Sequence, residues 1–169
     1  MEKTSAGDRM YLAMFKPTLK SFWKGNIKKY GIATQDSGDK RIGDILDATG
    51  ALAMDAENKI KESAKSHWSS AADGGEVELG GVGEILLKRS SSRSIFTYLG
   101  TNVNLADSSN AFTLSNSAVT PAKLGFLPND DVGRDSVINF IHGLDAYDEN
   151  GNWIRSEKRD WILGAFIHS

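Results

Sequence analysis

Seventeen glycines spread over 169 residues, against three prolines, constrain this chain more than any other feature. Glycine turns the backbone at no steric cost, so the pattern calls for many tight turns between short elements. A hydrophobic content of 40% and a charged content of 25% are ordinary for a globular protein, and the length suits one domain, residues 1–169. The absence of cysteine excludes disulfides and thiolate metal sites. A net charge of -2 and a pI near 5.9 give no general attraction to nucleic acid or to an anionic membrane. No apolar run approaches the ~20 residues of a membrane span. The first five residues lack the apolar core of a signal peptide, so the chain reads as cytosolic or as a segment of an exported precursor.

Local patterns place short strands and short helices in alternation. Met10 to Phe15 is an apolar strand or helix stopped by Pro17. Ser21 to Ala33 reads as a strand with a bulge at Gly25 and a solvated lysine face. Asp36 to Asp39 is a turn, and Ile42 to Met54 a hairpin around Thr49 and Gly50. Asn58 to Trp68 fits an amphipathic helix with Ile60, Ala64, His67 and Trp68 on one side. Gly80 to Arg89 fits a second, with Val82, Ile85 and Leu86 as its apolar face. Arg93 to Gly100 alternates as the best strand of the chain. Thr120 and Pro121 open a single helical turn. The strongest helix is capped by Asp131 or Asp135, packs Val137, Ile138, Phe140 and Ile141, and stops at Gly143. Without a regular strand–helix repeat, the class is α+β, with short antiparallel strands and several short helices in a single domain.

Motifs for catalysis are fragmentary. Glycines between Glu78 and Leu87 miss both the dinucleotide fingerprint, which needs a glycine at Leu86, and the P-loop. His67, His142 and His168 are too dispersed for a zinc pattern, and no serine stands in a nucleophile elbow. Lys24, Lys28 and Lys29 beside Trp23 and Tyr30 form a small basic patch in an acidic chain, which is a solvated strand face before it is a nucleic-acid site.

The acidic stretch from Asp145 is richer. Calcium takes oxygen ligands on a glycine-bent loop, and Asp145, Asp148, Asn150 and Asn152 with Gly151 supply that chemistry. With Gly151 as the bend, the first ligand position falls on Ala146 and the closing acid on Glu157. Calcium held by Asp148, Asn150, Asn152 and Glu157 and an ordinary Asn-Gly turn are both open readings. Beyond the loop, Trp161 to Leu163 with Phe166 and Ile167 is apolar and strand-prone.

Four blocks together resemble a known family. Phe22-Trp-Lys-Gly-Asn-Ile-Lys-Lys-Tyr30, Trp68-Ser-Ser-Ala-Ala-Asp-Gly-Gly75, Arg93-Ser-Ile-Phe-Thr-Tyr-Leu-Gly100 and Arg159-Asp-Trp-Ile-Leu-Gly164 with His168 and Ser169 are similar to the segment of the PilY/PilC type IV pilus biogenesis proteins just before their C-terminal β-propeller. The similarity runs from about Met10 to Ser169. It implies a large exported protein at the pilus tip or outer cell surface, acting in pilus assembly and adhesion with minor pilins and other pilus components. The calcium loop known in that propeller lies outside this segment and is not carried onto Asp145 to Asn152.

The resulting expectation is a non-enzymatic connector domain whose residues 159–169 lead into a propeller. Uncovered, that segment would pair two copies of the isolated chain into a homodimer. Trp153 and Trp161 are the candidate interface residues. The alternatives are a carbohydrate- or surface-binding module using Trp23, Trp68, Trp153 and Trp161, and a metal-dependent hydrolase using His67, His142 and the carboxylates of Asp145 and Asp148.

Overall fold

In the computed structural model, which describes residues 8–17, 23–100 and 102–164, the alternating apolar residues of the first segment form a strand. This strand, β1 (Arg9–Lys16), pairs antiparallel with β2 (Lys24–Ile32), and β2 pairs with the short β3 (Ile45–Leu46) in the order β1-β2-β3. The helices are α1 (Gly81–Lys88) and α2 (Asp131–His142), with 3-10 turns at Ser108–Asn110 and Pro121–Leu124. The fold is α+β. Packing groups the chain into two compact units, Met1–Arg89 with Trp161–Ser169, and Ser90–Asp160. Ser21, Phe22, Phe166, Ile167, His168 and Ser169 lie outside the described residues.

In the first unit the register from Arg9↔Gly31 to Lys16↔Lys24 is unbroken, so Gly25 faces Phe15 without a bulge. Tyr30, Ala53 and Ala64 form the apolar core, with Met10, Ile45 and Ile60 packed against it. The hairpin expected around Thr49 and Gly50 closes at the Leu46–Leu52 bridge. Its turn is organised by Asp47, whose Oδ1 accepts from the Thr49 hydroxyl at 2.6 Å and from the N–H groups of Thr49 and Ala51 at 2.8 and 3.0 Å.

The helix expected over Asn58 to Trp68 is not formed. Asp55 Oδ1 accepts from the N–H of Glu57 and of Lys59, which offers the backbone a turn in place of a helical start, and Asn58 takes a left-handed φ of 59°. Downstream N–H groups then bond distant partners: Lys61 to Ala53 and His67 to Lys29. Helix α1 does form where expected, yet its packed residues are Gly81 and Gly83 rather than Val82, Ile85 and Leu86. The reason is Trp161, whose indole occupies the space that a Cβ on Gly83 would need.

In the second unit Phe112, Val119 and Ile138 form the core, with Ile95, Leu99, Leu124 and Val137 around it. Arg93 to Gly100 is extended but pairs only at the Phe96–Ala111 bridge, because the chain opposite leaves the ladder at once for a 3-10 turn. Thr120 caps the Pro121–Leu124 turn as expected. The cap of α2 is Asp130 and not Asp131 or Asp135; its Oδ1 accepts from Gly133 N–H at 2.8 Å. Gly143, at φ 102°, ends the helix, with its own N–H and that of Leu144 bonded to Phe140 and Asn139 carbonyls.

Candidate functional site

The strand face read as solvated lysine is instead the buried one. Asn26, Lys28 and Tyr30 point from β2 to the interior and are fully buried. Their polar ends hold the segment from Ser66 to Gly83. The Asn26 amide donates to the carbonyls of Val77 and Gly80, and its Oδ1 accepts from Gly83 N–H at 3.1 Å. The Lys28 ammonium donates to the carbonyls of Asp73 and Gly74, both at 2.8 Å, and lies 3.0 Å from Asp73 Oδ2. Three N–H donors thus meet three acceptors.

Asp73 is equally occupied. Its carboxylate accepts from Ser66 N–H at 2.7 Å and from the Ser66 and Ser69 hydroxyls at 2.9 and 2.8 Å, while Ser69 Oγ accepts from Gly81 N–H. Burial lowers the Lys28 pKa, and the Asp73 hydrogen bond works against that lowering. A lysine, a carboxylate and two serines are the chemistry of a hydrolase, but here every polar atom is spent on fixing loops. Nothing in the sequence marked this cluster, because Lys28 and Asp73 are 45 residues apart and each looks like a surface charge.

The acidic loop of the second unit is closed at its base by the Leu144–Lys158 bridge. Asn150 and Asn152 both donate through Nδ2 to Glu157 Oε1 at 2.6 Å, so three of the four expected ligands converge on one point. The fourth, Asp148, accepts through Oδ1 from Trp153 N–H at 2.9 Å, with Asp148, Gly151 and Trp153 all at positive φ. Asp145, almost fully buried, caps the same loop by accepting from Glu149 N–H at 2.8 Å. As the amides stand, the point of convergence presents two NH2 groups and one carboxylate oxygen, whereas a hard cation needs oxygen from all three side chains. Turning the Asn150 and Asn152 amides to present oxygen would sacrifice their bonds from Asn152 N–H and Ile154 N–H.

The tryptophans differ in their settings. Trp153 is 82% exposed in the second unit, and in the first Trp23 stacks on Phe15 at 5.6 Å and Trp68 lies 5.8 Å from Tyr11. Trp161 is 5% exposed and donates its indole N–H to Gly25 O at 2.8 Å, so it is a core residue and not an open interface. Ile162 is buried with it, Gly25 N–H donates to Leu163 O, and Gly164 bridges Lys24. Residues 161–164 are therefore covered by β2 and do not offer the free apolar strand on which self-pairing through 159–169 was expected.

His67 belongs to the first unit, whereas His142 Nε2 is 2.6 Å from Phe112 O in the second. No helix among the described residues is long and apolar enough to cross a membrane. The chain matches no family model, no curated protein and no solved structure.

Proposed function

We propose that this chain is a non-enzymatic connector domain of a type IV pilus biogenesis factor and tip adhesin, exported to the outer cell surface. There it takes part in pilus assembly and adhesion, next to a β-propeller and in contact with minor pilins. One observation carries the reading: three of the four blocks on which the PilY/PilC resemblance rests pack against one another in the first unit. Lys28 of the first block holds Asp73 and Gly74 of the second, and Trp161 of the last donates to Gly25 of the first across 136 residues. Residues that resemble a family through mutual packing, with their charged groups consumed internally, suit a scaffold. In a piliated bacterium carrying this gene, removing the segment is expected to abolish surface pili and adherence, scored by electron microscopy and cell-binding counts. Wild-type piliation, or turnover of esterase, phosphatase, protease or glycosidase substrates by the purified chain, overturns the reading.

A second, structural role for calcium is favoured by the convergence of Asn150, Asn152 and Glu157. An ion bound only by the folded loop stabilises it by RT ln(1 + [L]/Kd). Millimolar calcium is then expected to raise the melting temperature, and Glu157→Gln to remove that rise. Superimposed melting curves in calcium and in chelator leave the loop as a self-bonded Asn-Gly turn.

A further inference from the structure

Among the described residues β1 is an edge strand with no strand against its outer rim. Asp8 O accepts from Ile32 N–H, which fixes the parity of the β1–β2 ladder: even-numbered residues of β1 bond β2, and odd-numbered ones point their N–H and C=O away from it. The outward groups of Arg9, Tyr11, Ala13 and Phe15 bond no described residue. Side chains on the odd face are open too, with Tyr11 57% and Phe15 49% exposed. Eight residues of unpaired edge with an aromatic face form a template for another strand, with neither proline nor bulge within it to blunt the edge.

We infer that the occupant is a second copy of this chain, docked through β1 against β1 in antiparallel register centred on Leu12. Parity allows only registers in which odd residues face odd residues. Centring on Tyr11 carries Phe15 and Lys16 past the described strand, opposite Gly7 and Ala6, and sets Asp8 opposite Met14. Centring on Ala13 sets Arg9 opposite Pro17, which has no N–H to give. Centring on Leu12 pairs every residue from Asp8 to Lys16 and ends where Pro17 ends the donors.

That register is also the one the charges select. Asp8 falls opposite Lys16 at both ends of the two-fold interface, and Arg9 falls opposite the exposed Phe15 ring on the other face. Between them Tyr11 faces Ala13, a large side chain against a small one. Lys16 also pairs with Glu78 of its own chain at 3.1 Å but keeps half its side chain exposed, and Asp8 has a second carboxylate oxygen beyond the one bonded to Arg9. The joined sheet runs continuously through six strands, three from each copy, with an isologous contact that closes on itself.

The chain lacks cysteine, which makes the register directly readable. In the proposed pairing Leu12 meets its own symmetry mate as a non-hydrogen-bonded pair, with Cα atoms about 4.5 Å apart, inside the range a disulfide needs. Leu12→Cys is expected to oxidise to a covalent dimer in high yield, and Met14→Cys, which faces Met10, to oxidise several-fold more slowly. Light scattering of the wild-type 169-residue chain over a hundredfold concentration range should show the mass rising from one chain toward two. Ala13→Pro removes an outward N–H and leaves the β1–β2 ladder intact, so it should remain one chain in mass with an unchanged circular dichroism spectrum. A wild-type mass that stays at one chain throughout, equal cross-linking of the two cysteine variants, or a folded Ala13→Pro chain that dimerises like wild type overturns the proposal. Should Ala13→Pro fail to fold, the cysteine comparison decides alone.

Discussion

At the scale of single residues, the first unit depends on groups that conventional packing would exclude from a core. Lys28 is fully buried, and its partner Asp73 is nearly so. Removing the cation leaves a buried carboxylate with hydroxyl and amide donors but no countercharge. Lys28→Met is expected to destabilise the chain by about 3–5 kcal/mol in urea unfolding, and Lys28→Met combined with Asp73→Asn to recover part of that loss. A loss under about 1 kcal/mol would mean that the serine and backbone donors satisfy Asp73 without help. Gly83 is the second sensitive residue, since a methyl group there enters the space of the Trp161 indole. Helix propensity favours Gly83→Ala by about 1 kcal/mol, but overpacking against a ring costs about 1–3 kcal/mol. The variant should melt lower than wild type, with a changed Trp161 emission; a higher melting point would show that the indole yields freely.

Between residues and the whole molecule, legibility followed where each element finds its hydrogen bonds. α2 and the Pro121–Leu124 turn were readable because their signals are local: a capping side chain, a proline at the first position, a glycine at the stop. Asp130 was still missed by one residue, since Asp130, Asp131 and Asp135 all offer a carboxylate and only backbone geometry chooses among them. Asp130→Ala should cost about 1 kcal/mol of stability, more than Asp131→Ala, measured by denaturant midpoint. Equal effects of the two would assign the contribution to charge at the helix start and not to the cap bond. The stretches that misled have non-local partners. Asn58 to Trp68 has helical spacing, yet its N–H groups are claimed by Asp55, Ala53 and Lys29. Arg93 to Gly100 has strand composition, yet composition cannot supply a partner strand, and only Phe96 finds one. The same logic divided the candidate sites. The residues of the acidic loop lie within one short segment and could be named from order alone, whereas the Lys28–Asp73 cluster needed the sheet to bring it together.

For the molecule as a whole, the consequence of these placements is a stability that should fail in acid through the first unit. Lys16 and Lys24 stand directly opposite each other where the chain passes from β1 to β2, a like-charge pair that opposes strand association. Glu78 lies between them, 3.1 Å from the Lys16 ammonium and in contact with that of Lys24. The hydrogen bond from Lys24 holds the Glu78 carboxyl below the usual glutamate range, outweighing partial burial. Glu84 is lowered by its bonds from Lys88 and Ser70. For Asp47, burial alone would raise the value, but the bonds from Thr49, Ala51 and Lys65 outweigh it and leave it lowered. These three carboxylates belong to the first unit, while Asp107, lowered by its bonds from Ser109, is the one such group among the described residues of the second. A carboxyl whose folded pKa lies below its unfolded value binds fewer protons in the native state. Its contribution is therefore present above the ordinary range near 4.3 and is lost as pH falls through the folded value. The melting temperature should hold through neutral pH and drop below about pH 4.5, where unfolded carboxyls begin to take up protons. Glu78→Gln tests the lysine pair itself. Because all three side chains are partly exposed, its cost at pH 7 is at most about 0.5–1 kcal/mol, falling with added salt. As the pH approaches 2 the wild type loses the same charge, so the two melting curves should converge there. Curves that stay parallel from pH 7 to pH 2 would mean that Glu78 contributes packing alone and that the lysines at the strand ends need no countercharge.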